Sequence, residues 1–405
     1  MSHVSPLQRP VDSASLWLFR GAFGWLCVVL VVRYFAHDWI GHYFTEPSFF
    51  FSYFDAWKPL PGRWMYVEFS GMGVAALALA LGVWPRRAAA IFWVLFTHQH
   101  FCDKAIYLNH YYFISLVAFL FIWLPIGRNR SVPAWSLWLM RAQIGLVYFY
   151  GGVGKLNSDW LIRAEPLRSW LHTSGDLALL GGLLDQPVTA YLMSWVGAFF
   201  DLSIVGFLLW PKTRRPAYVA LIVFHGLTGL LFPIGLFPWL MTMAATVFFD
   251  PAWPRRWIGG GVGTEPPARV QRWLVVLLAT HLVLQVLLPL RSWFYPGDVN
   301  WSEAGFRFSW KVMLIEKSGI ADFRVVSRSG RVFEVNPRSF LTPLQLRMMS
   351  TQPDMIQQFA EHLVSRYERI TGESVQVFAN VQVSYNGRSP RPLVPAEKPL
   401  AASAK

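Results

Sequence analysis

Cysteine is nearly absent from this chain. Only Cys27 and Cys102 occur, both within or beside apolar runs, and they form no CxxC pair. A disulfide scaffold and a thiolate metal cluster are therefore excluded. Charge is scarce too: 15% of the 405 residues are Asp, Glu, Lys or Arg, while 54% are hydrophobic and 17% aromatic. The charges gather between long apolar runs, which excludes an ordinary soluble domain and indicates an integral membrane protein. Acidic residues are the scarcer charged class, 23 against 36 Lys and Arg, for a formal charge of +13. Such an excess can serve nucleic acid, but here the basic residues flank apolar spans in short clusters, the pattern that membrane topology produces. No nucleic-acid role is expected. The opening MSHVSPLQRPVDSAS carries no signal-peptide cleavage pattern, so the first apolar run is expected to stay as an anchor. No internal repeat is visible.

What the chain does have is a series of apolar spans. Nine helices are expected, near Ser15–Phe35, Trp64–Trp84, Ala88–Phe101, Tyr107–Leu124, Ala134–Val153, Pro187–Trp210, Pro216–Leu231, Gly235–Phe249 and Trp273–Leu290. The run from Pro216 to Phe249 is too long for one crossing, and FPIGLFP, with Pro233 and Pro238, marks a tight reversal within it. Alternate connections carry Arg86–Arg87, Arg128 with Arg130, Lys212 with Arg214 and Arg215, and Arg255, Arg256, Arg269 and Arg272. By the positive-inside rule these are cytoplasmic, as is the N-terminus, and everything after Arg291 is external. Beyond the spans the pattern changes. FRFSWKVMLIE, ADFRVVS, RVFEVN and VQVFANVQVSY read as strands around one helix-like stretch, Asp354–Ile370. The expected fold class is a polytopic α-helical membrane bundle of about nine transmembrane helices over residues 1–290. A small C-terminal α+β extramembrane domain follows over residues 291–389, and the Pro- and Ala-rich tail 390–405 is expected to be disordered.

Several polar residues interrupt the apolar runs. Lys155, in GVGKLNSDW, closes the Ala134–Val153 run. An ammonium at that depth must be paired, solvated through a cavity or deprotonated, and a deprotonated amine is a base. Arg20, Arg141, Gln143 and Asp201 lie near mid-helix, where pairing such as Arg141–Asp201 would lock helices together. Glu68 can face a cavity or a partner. His98 and His100 form an HxH pair beside Cys102 and Asp103, but i, i+2 side chains on a helix point about 200° apart, which suits one metal poorly. No metal site is expected. His281 reads as a satisfied interior histidine, and His225 lies about two turns from the Pro233 reversal. Asn109 and His110 open a helix at the external surface. On spacing alone they read as a cap with an interfacial histidine; as a site they would bind a carboxylate or a carbonyl oxygen.

Taken in order, PVDSASLWLFR, KPLPGRWMY, DKAIYLNHYYF, MRAQIGLVYFYGGVGKLNSDW, FFDLSIVGFLL, VFHGLTGLLFPIGLF, DPAWPRRW, NWSEAGFRFSWKVMLIEK and VQVSYNGR span nearly the whole chain. This series resembles the vitamin K-dependent gamma-glutamyl carboxylases and their compact bacterial relatives with an HTTM-type membrane domain. The resemblance implies that Lys155 deprotonates a reduced quinone, that Asn109 and His110 serve the carboxylation step, and that His225 is needed in a role less defined. It implies reduced vitamin K or menaquinol as cofactor, O2 and CO2 as co-substrates, and a glutamate-containing protein or peptide as partner. Oxidation of the hydroquinone would drive removal of a glutamate γ-proton, and CO2 addition would follow, with the quinone epoxide as second product. The chain lacks the long extension through which animal members recognise a propeptide, so propeptide-directed carboxylation is not expected. A bacterial inner membrane is the expected location. Two other readings stay open: a quinol epoxidase with another acceptor, and a non-catalytic membrane scaffold. Such a scaffold would have no need for a membrane lysine beside an Asn-His helix start.

Overall fold

The computed structural model describes residues 6–127, 131–173, 181–260 and 270–403. Long helices are α1 (Ala14–Ala36), α2 (Arg63–Leu81), α3 (Pro85–Cys102), α4 (Asn109–Trp123) and α5 (Ala134–Gly154). The short α6 (Ser158–Arg163), α7 (Leu167–Thr173) and α8 (Gly181–Leu184) lead to α9 (Pro187–Leu209), α10 (Arg214–Leu231) and α11 (Phe237–Ala245). The brief α12 (Arg255–Ile258) precedes α13 (Arg272–Leu290). Each apolar span read from the sequence is thus helical. Among the described residues, four stretches are long and apolar enough to cross a membrane unaided: Ala14–Ala36, Arg63–Leu81, Pro187–Leu209 and Arg272–Phe294. The difference from the expected nine has a physical origin. A crossing takes about 20 apolar residues, whereas Asn109–Trp123 and Phe237–Phe248 are shorter. Likewise α3 carries Arg86, Arg87, His98 and His100, α5 carries Arg141 and Gln143, and α10 carries Arg214, Arg215 and His225.

Small residues let the helices close on one another. A Cβ on Gly24 of α1 would stand 2.4 Å from the Ala80 nitrogen of α2, and one on Gly152 of α5 would stand 2.7 Å from Leu202 of α9. Such glycine contacts bring backbones together where apolar burial alone gives no drive. Val29, Val32, Val74, Leu192, Val196, Phe199, Val276 and Leu287 face outward from these helices, as a lipid-facing surface requires. Antiparallel packing of successive helices gathers Arg86, Arg87, Lys212, Arg214, Arg215, Arg255 and Arg256 at one end. Arg128, Arg130 and Arg269 lie outside the described residues.

The opposite end carries the sheet domain. A two-stranded ribbon, β1 (Pro10–Asp12) with β2 (Ser131–Pro133), belongs to the basic end. The domain itself holds β3 (Lys317–Ser327), β4 (Val332–Val335), β5 (Val375–Tyr385), β6 (Arg388–Pro392) and β7 (Ala401–Ala402), with the short α14 (Val299–Ser302) leading in. The order is β4-β3-β5-β6, with β7 also on β5, and β3 and β5 pair antiparallel from Lys317↔Tyr385 to Ser327↔Val375. Helices α15 (Pro343–Met349) and α16 (Pro353–Thr371) accompany the sheet. Phe359 and Leu363 of α16 pack with Phe323, Val325, Val377 and Val381 of the alternating inward face.

Two expectations need correction here. FRFSWKVMLIE is not a strand: residues 306–316 form an irregular strap with positive φ at Phe308, Trp310 and Met313. Its alternating apolar residues turn into the bundle instead of a ladder, with Trp310 fully buried there. The tail is not structureless either. Arg388–Pro392 and Ala401–Ala402 both pair with β5, because that strand has open backbone groups for them, as the Leu400 N–H to Val377 carbonyl bond of 2.8 Å shows.

Candidate active site

Lys155 follows directly on the last turn of α5. Gly151 and Gly152 precede it, and their lack of side chains brings α9 close enough for Asp201 to reach across. Lys155 Nζ donates to Asp201 Oδ2 at 2.7 Å and to the Gly151 carbonyl at 3.2 Å, and lies 5.2 Å from the centre of the Trp160 ring. The lysine is 6% exposed, so its compensation is internal. This corrects the pairing considered between Arg141 and Asp201. Arg141 instead donates to the Val247 carbonyl at 2.9 Å and the Phe249 carbonyl at 3.0 Å. Ten residues of α5, about 15 Å of rise, separate it from Gly151, too far for one carboxylate to serve both.

The Lys155–Asp201 pair lies in a pocket whose walls include Tyr148, Trp160, Phe224 and His225. It encloses about 720 Å³ of atom-free space, its open mouth included. His225 Nε2 and Tyr148 Oη are 2.8 Å apart, while His225 Nδ1 has no partner among the described residues. The structure therefore joins Lys155 and His225, which are 70 positions apart in the chain. Tyr148 and Asp201 are site residues that the sequence alone does not assign. A signal existed for the tyrosine: it lies seven residues before Lys155, two turns back on the same helix face. For Asp201 the signal was a carboxylate within an apolar span, and only helix register could assign its partner.

Asn109 and His110 line a second pocket with Arg33, Trp39 and the Pro233–Phe237 turn, about 1040 Å³ in atom-free space. Ile234, Phe237, Val312 and Met313 line both pockets and form the wall between them. The Phe237 ring centre is 6.2 Å from that of His110 on one side and 5.9 Å from that of His225 on the other. The turn itself needs glycine: Gly235 has φ +61°. Asn109 does not cap α4, since the cap position is Leu108 and no side chain bonds there. Its amide instead donates to the Lys311 carbonyl at 3.1 Å and accepts from Tyr107 Oη at 3.1 Å, which anchors the strap.

The remaining polar residues tie elements together. His98 Nδ1 is 2.7 Å from Glu68 Oε1, whereas His100 stacks on Tyr107, so the two histidines face different neighbours. His281 bonds Gln143 at 2.8 Å and Gln285 bonds Tyr112, links between α13 and the helices beside it. Arg20 bonds the Leu79 carbonyl. Outside the bundle, Asp103 and Asp159 are among the carboxylates that dock the sheet domain. Asp103, just past α3, accepts from Gln345 Nε2 at 2.7 Å and from the Ala105 N–H at 2.8 Å. Burial pushes its carboxyl up to about 6 against those hydrogen bonds. Asp159 accepts from Arg388 and Asn386. Burial raises this carboxyl as well, but the bonds from Arg388 and Asn386 outweigh it and hold it below the ordinary carboxylate range.

Two family descriptions match the chain. The HTTM domain covers residues 8–253, and the vitamin K-dependent gamma-carboxylase lumenal domain covers residues 270–404. No solved structure matches it. Bundle, strap and sheet domain thus fall under two descriptions in the order read from the sequence, and the chain belongs to the vitamin K-dependent gamma-carboxylase family.

Proposed function

We propose that this membrane protein couples O2-dependent epoxidation of reduced vitamin K or menaquinol to CO2 addition at glutamate side chains. The observation that carries the reading is the pair of adjoining pockets. One holds Lys155, Asp201, Tyr148 and His225, the other holds Asn109 and His110, and a single apolar wall divides them. A quinol fits the first pocket, whose walls are aliphatic and aromatic and whose polar atoms lie together, with His225 Nδ1 unpartnered. When bound there, it supplies with O2 the oxidation that makes a base strong enough for a glutamate γ-proton.

The chain's own residues do the rest. Asp201 takes the proton of Lys155 across their short hydrogen bond, which leaves a lone pair on Nζ without changing the charge of the pair. Lys155 then accepts a hydroxyl proton as general base. Tyr148 fixes the His225 ring through Nε2, so that Nδ1 is the atom left to orient a hydroxyl or oxygen. His110 presents its imidazole across the Phe237 wall, where the substrate carbon must lie. The apolar wall and the Trp310 strap keep water from a carbanion until CO2 arrives.

In this reading residues 1–290 form the membrane unit, in nine crossings with a cytoplasmic N-terminus, and the sheet domain that follows is external, in a bacterial inner membrane. The arginine clusters at the end opposite the sheet support that orientation. The polar α3 and α5 can cross because their neighbours satisfy them, as Glu68 does for His98. The test uses protein in lipid nanodiscs with reduced vitamin K, O2, labelled CO2 and a glutamate-rich peptide, following epoxide and fixed label together. Both products, dependent on Lys155, are expected. Epoxide without label would leave a quinol epoxidase, and neither product would leave a scaffold.

A further inference from the structure

Arg33, in the last turn of α1, lines the pocket that holds His110 and Asn109. Its surroundings set it apart from the other buried or half-buried arginines of the bundle. Arg20 donates to the Leu79 carbonyl, Arg141 to carbonyls after α11, Arg214 to the Leu208 carbonyl, Arg255 to Asp12 and Arg291 to the Arg307 carbonyl. Arg33 makes no side-chain hydrogen bond and enters no ion pair among the described residues; its guanidinium lies 5.4 Å from the centre of the Trp39 ring. A half-buried guanidinium with a planar fork of free donors is matched to a carboxylate, which it takes by two parallel bonds. The aromatic face behind it fixes the plane of the fork. No carboxylate among the described residues lines this pocket, so the anion matched to Arg33 comes from outside.

We propose that Arg33 is the carboxylate clamp of the site, holding the side-chain carboxylate of the glutamate substrate beside His110. This rests on the glutamyl carboxylase reading and names the group that selects its substrate. Arg33 then discriminates glutamate from glutamine, because a carboxamide offers one acceptor oxygen and no charge to the fork. A lipid phosphate is the rival occupant at this end of the helix.

Equilibrium binding separates them without relying on turnover. Full-length protein in phosphatidylcholine nanodiscs is titrated with a fluorescent glutamate-rich peptide and its glutamine counterpart. Wild type should bind the glutamate peptide at least ten-fold more tightly, R33Q should lose that preference while still binding the glutamine peptide, and R33K should keep part of it. Full preference in R33Q, or no preference in wild type, overturns the clamp. So does a preference that disappears when phosphatidylglycerol replaces part of the lipid, which assigns Arg33 to headgroups. Failure of the broader reading looks different: wild type would fix no labelled CO2 on any peptide, whatever the binding ratio.

Discussion

The Lys155 pocket and the His110 pocket share a wall but handle charge in opposite ways. In the first, the cation has its anion within the protein at 2.7 Å, and the buried tyrosine and histidine bond each other. In the second, His110 and Arg33 keep donors and acceptors that no described residue engages. A pocket whose charges cancel internally suits a neutral, apolar ligand with which it exchanges a proton. A pocket with free polar groups suits a polar, anionic one. In the proposed function the division of labour follows from which residues pair, more than from which residues are present.

Breaking the internal pair should have the largest effect. Lys155→Ala is expected to lower epoxide formation by about 10²–10⁴-fold, the span of a lost general base. It also strands Asp201, and either single removal, Lys155→Ala or Asp201→Ala, should cost about 3–5 kcal/mol of stability because one buried charge is left alone. The double variant K155M/D201L should recover most of the stability and none of the activity. Melting temperature and epoxide yield, read on the same samples, distinguish the two roles. A double variant as unstable as the singles would remove the pair from the account.

The second pocket can be broken without the first. His110→Ala is expected to lower carboxylation roughly 10- to 100-fold while epoxidation falls less, since the Lys155 pocket keeps all its polar groups. Equal losses would mean that the Phe237 wall does not separate two half-reactions. The Phe237→Ala variant sharpens the point. Opening the wall should raise the ratio of epoxide to fixed CO2, by a smaller factor than His110→Ala does, as water gains access to the carbanion.

The helices were legible as successive apolar runs, and the sheet because β3, β5 and α16 carry clean periods of two and 3.6. Lys155 was legible as a charge out of place. Its partner was not. Asp201 was as available to Arg141 as to Lys155, and only the register of α5 on α9, set by Gly151 and Gly152, gives it to Lys155. The strap misled for the converse reason: Phe308, Trp310 and Val312 alternate like a strand, but Phe308 and Trp310 pack against the bundle and Val312 lines its pockets, and a period of two does not say which surface satisfies it. Likewise the β6 and β7 segments follow a Pro-rich composition that hides how much open edge β5 leaves.

The smallest expected effect concerns the join between bundle and sheet domain, where Asp103 and Asp159 titrate in opposite senses. The Asp159 carboxyl is held low in the folded state, so its contribution is present above the unfolded value near 4 and is lost as pH falls through its folded value. The Asp103 carboxyl is raised to about 6, so between roughly 4 and 6 the folded state binds more protons than the unfolded chain, and stability falls as pH rises through that window. Melting in detergent from pH 3 to 7 should therefore show Asp159→Asn flattening the acid limb and Asp103→Asn flattening the decline between pH 4 and 6. An unchanged decline in Asp103→Asn would mean that Gln345 and the Ala105 N–H hold that carboxylate ionised. The hold of Gln345 on Asp103 would then be insensitive to pH across that window.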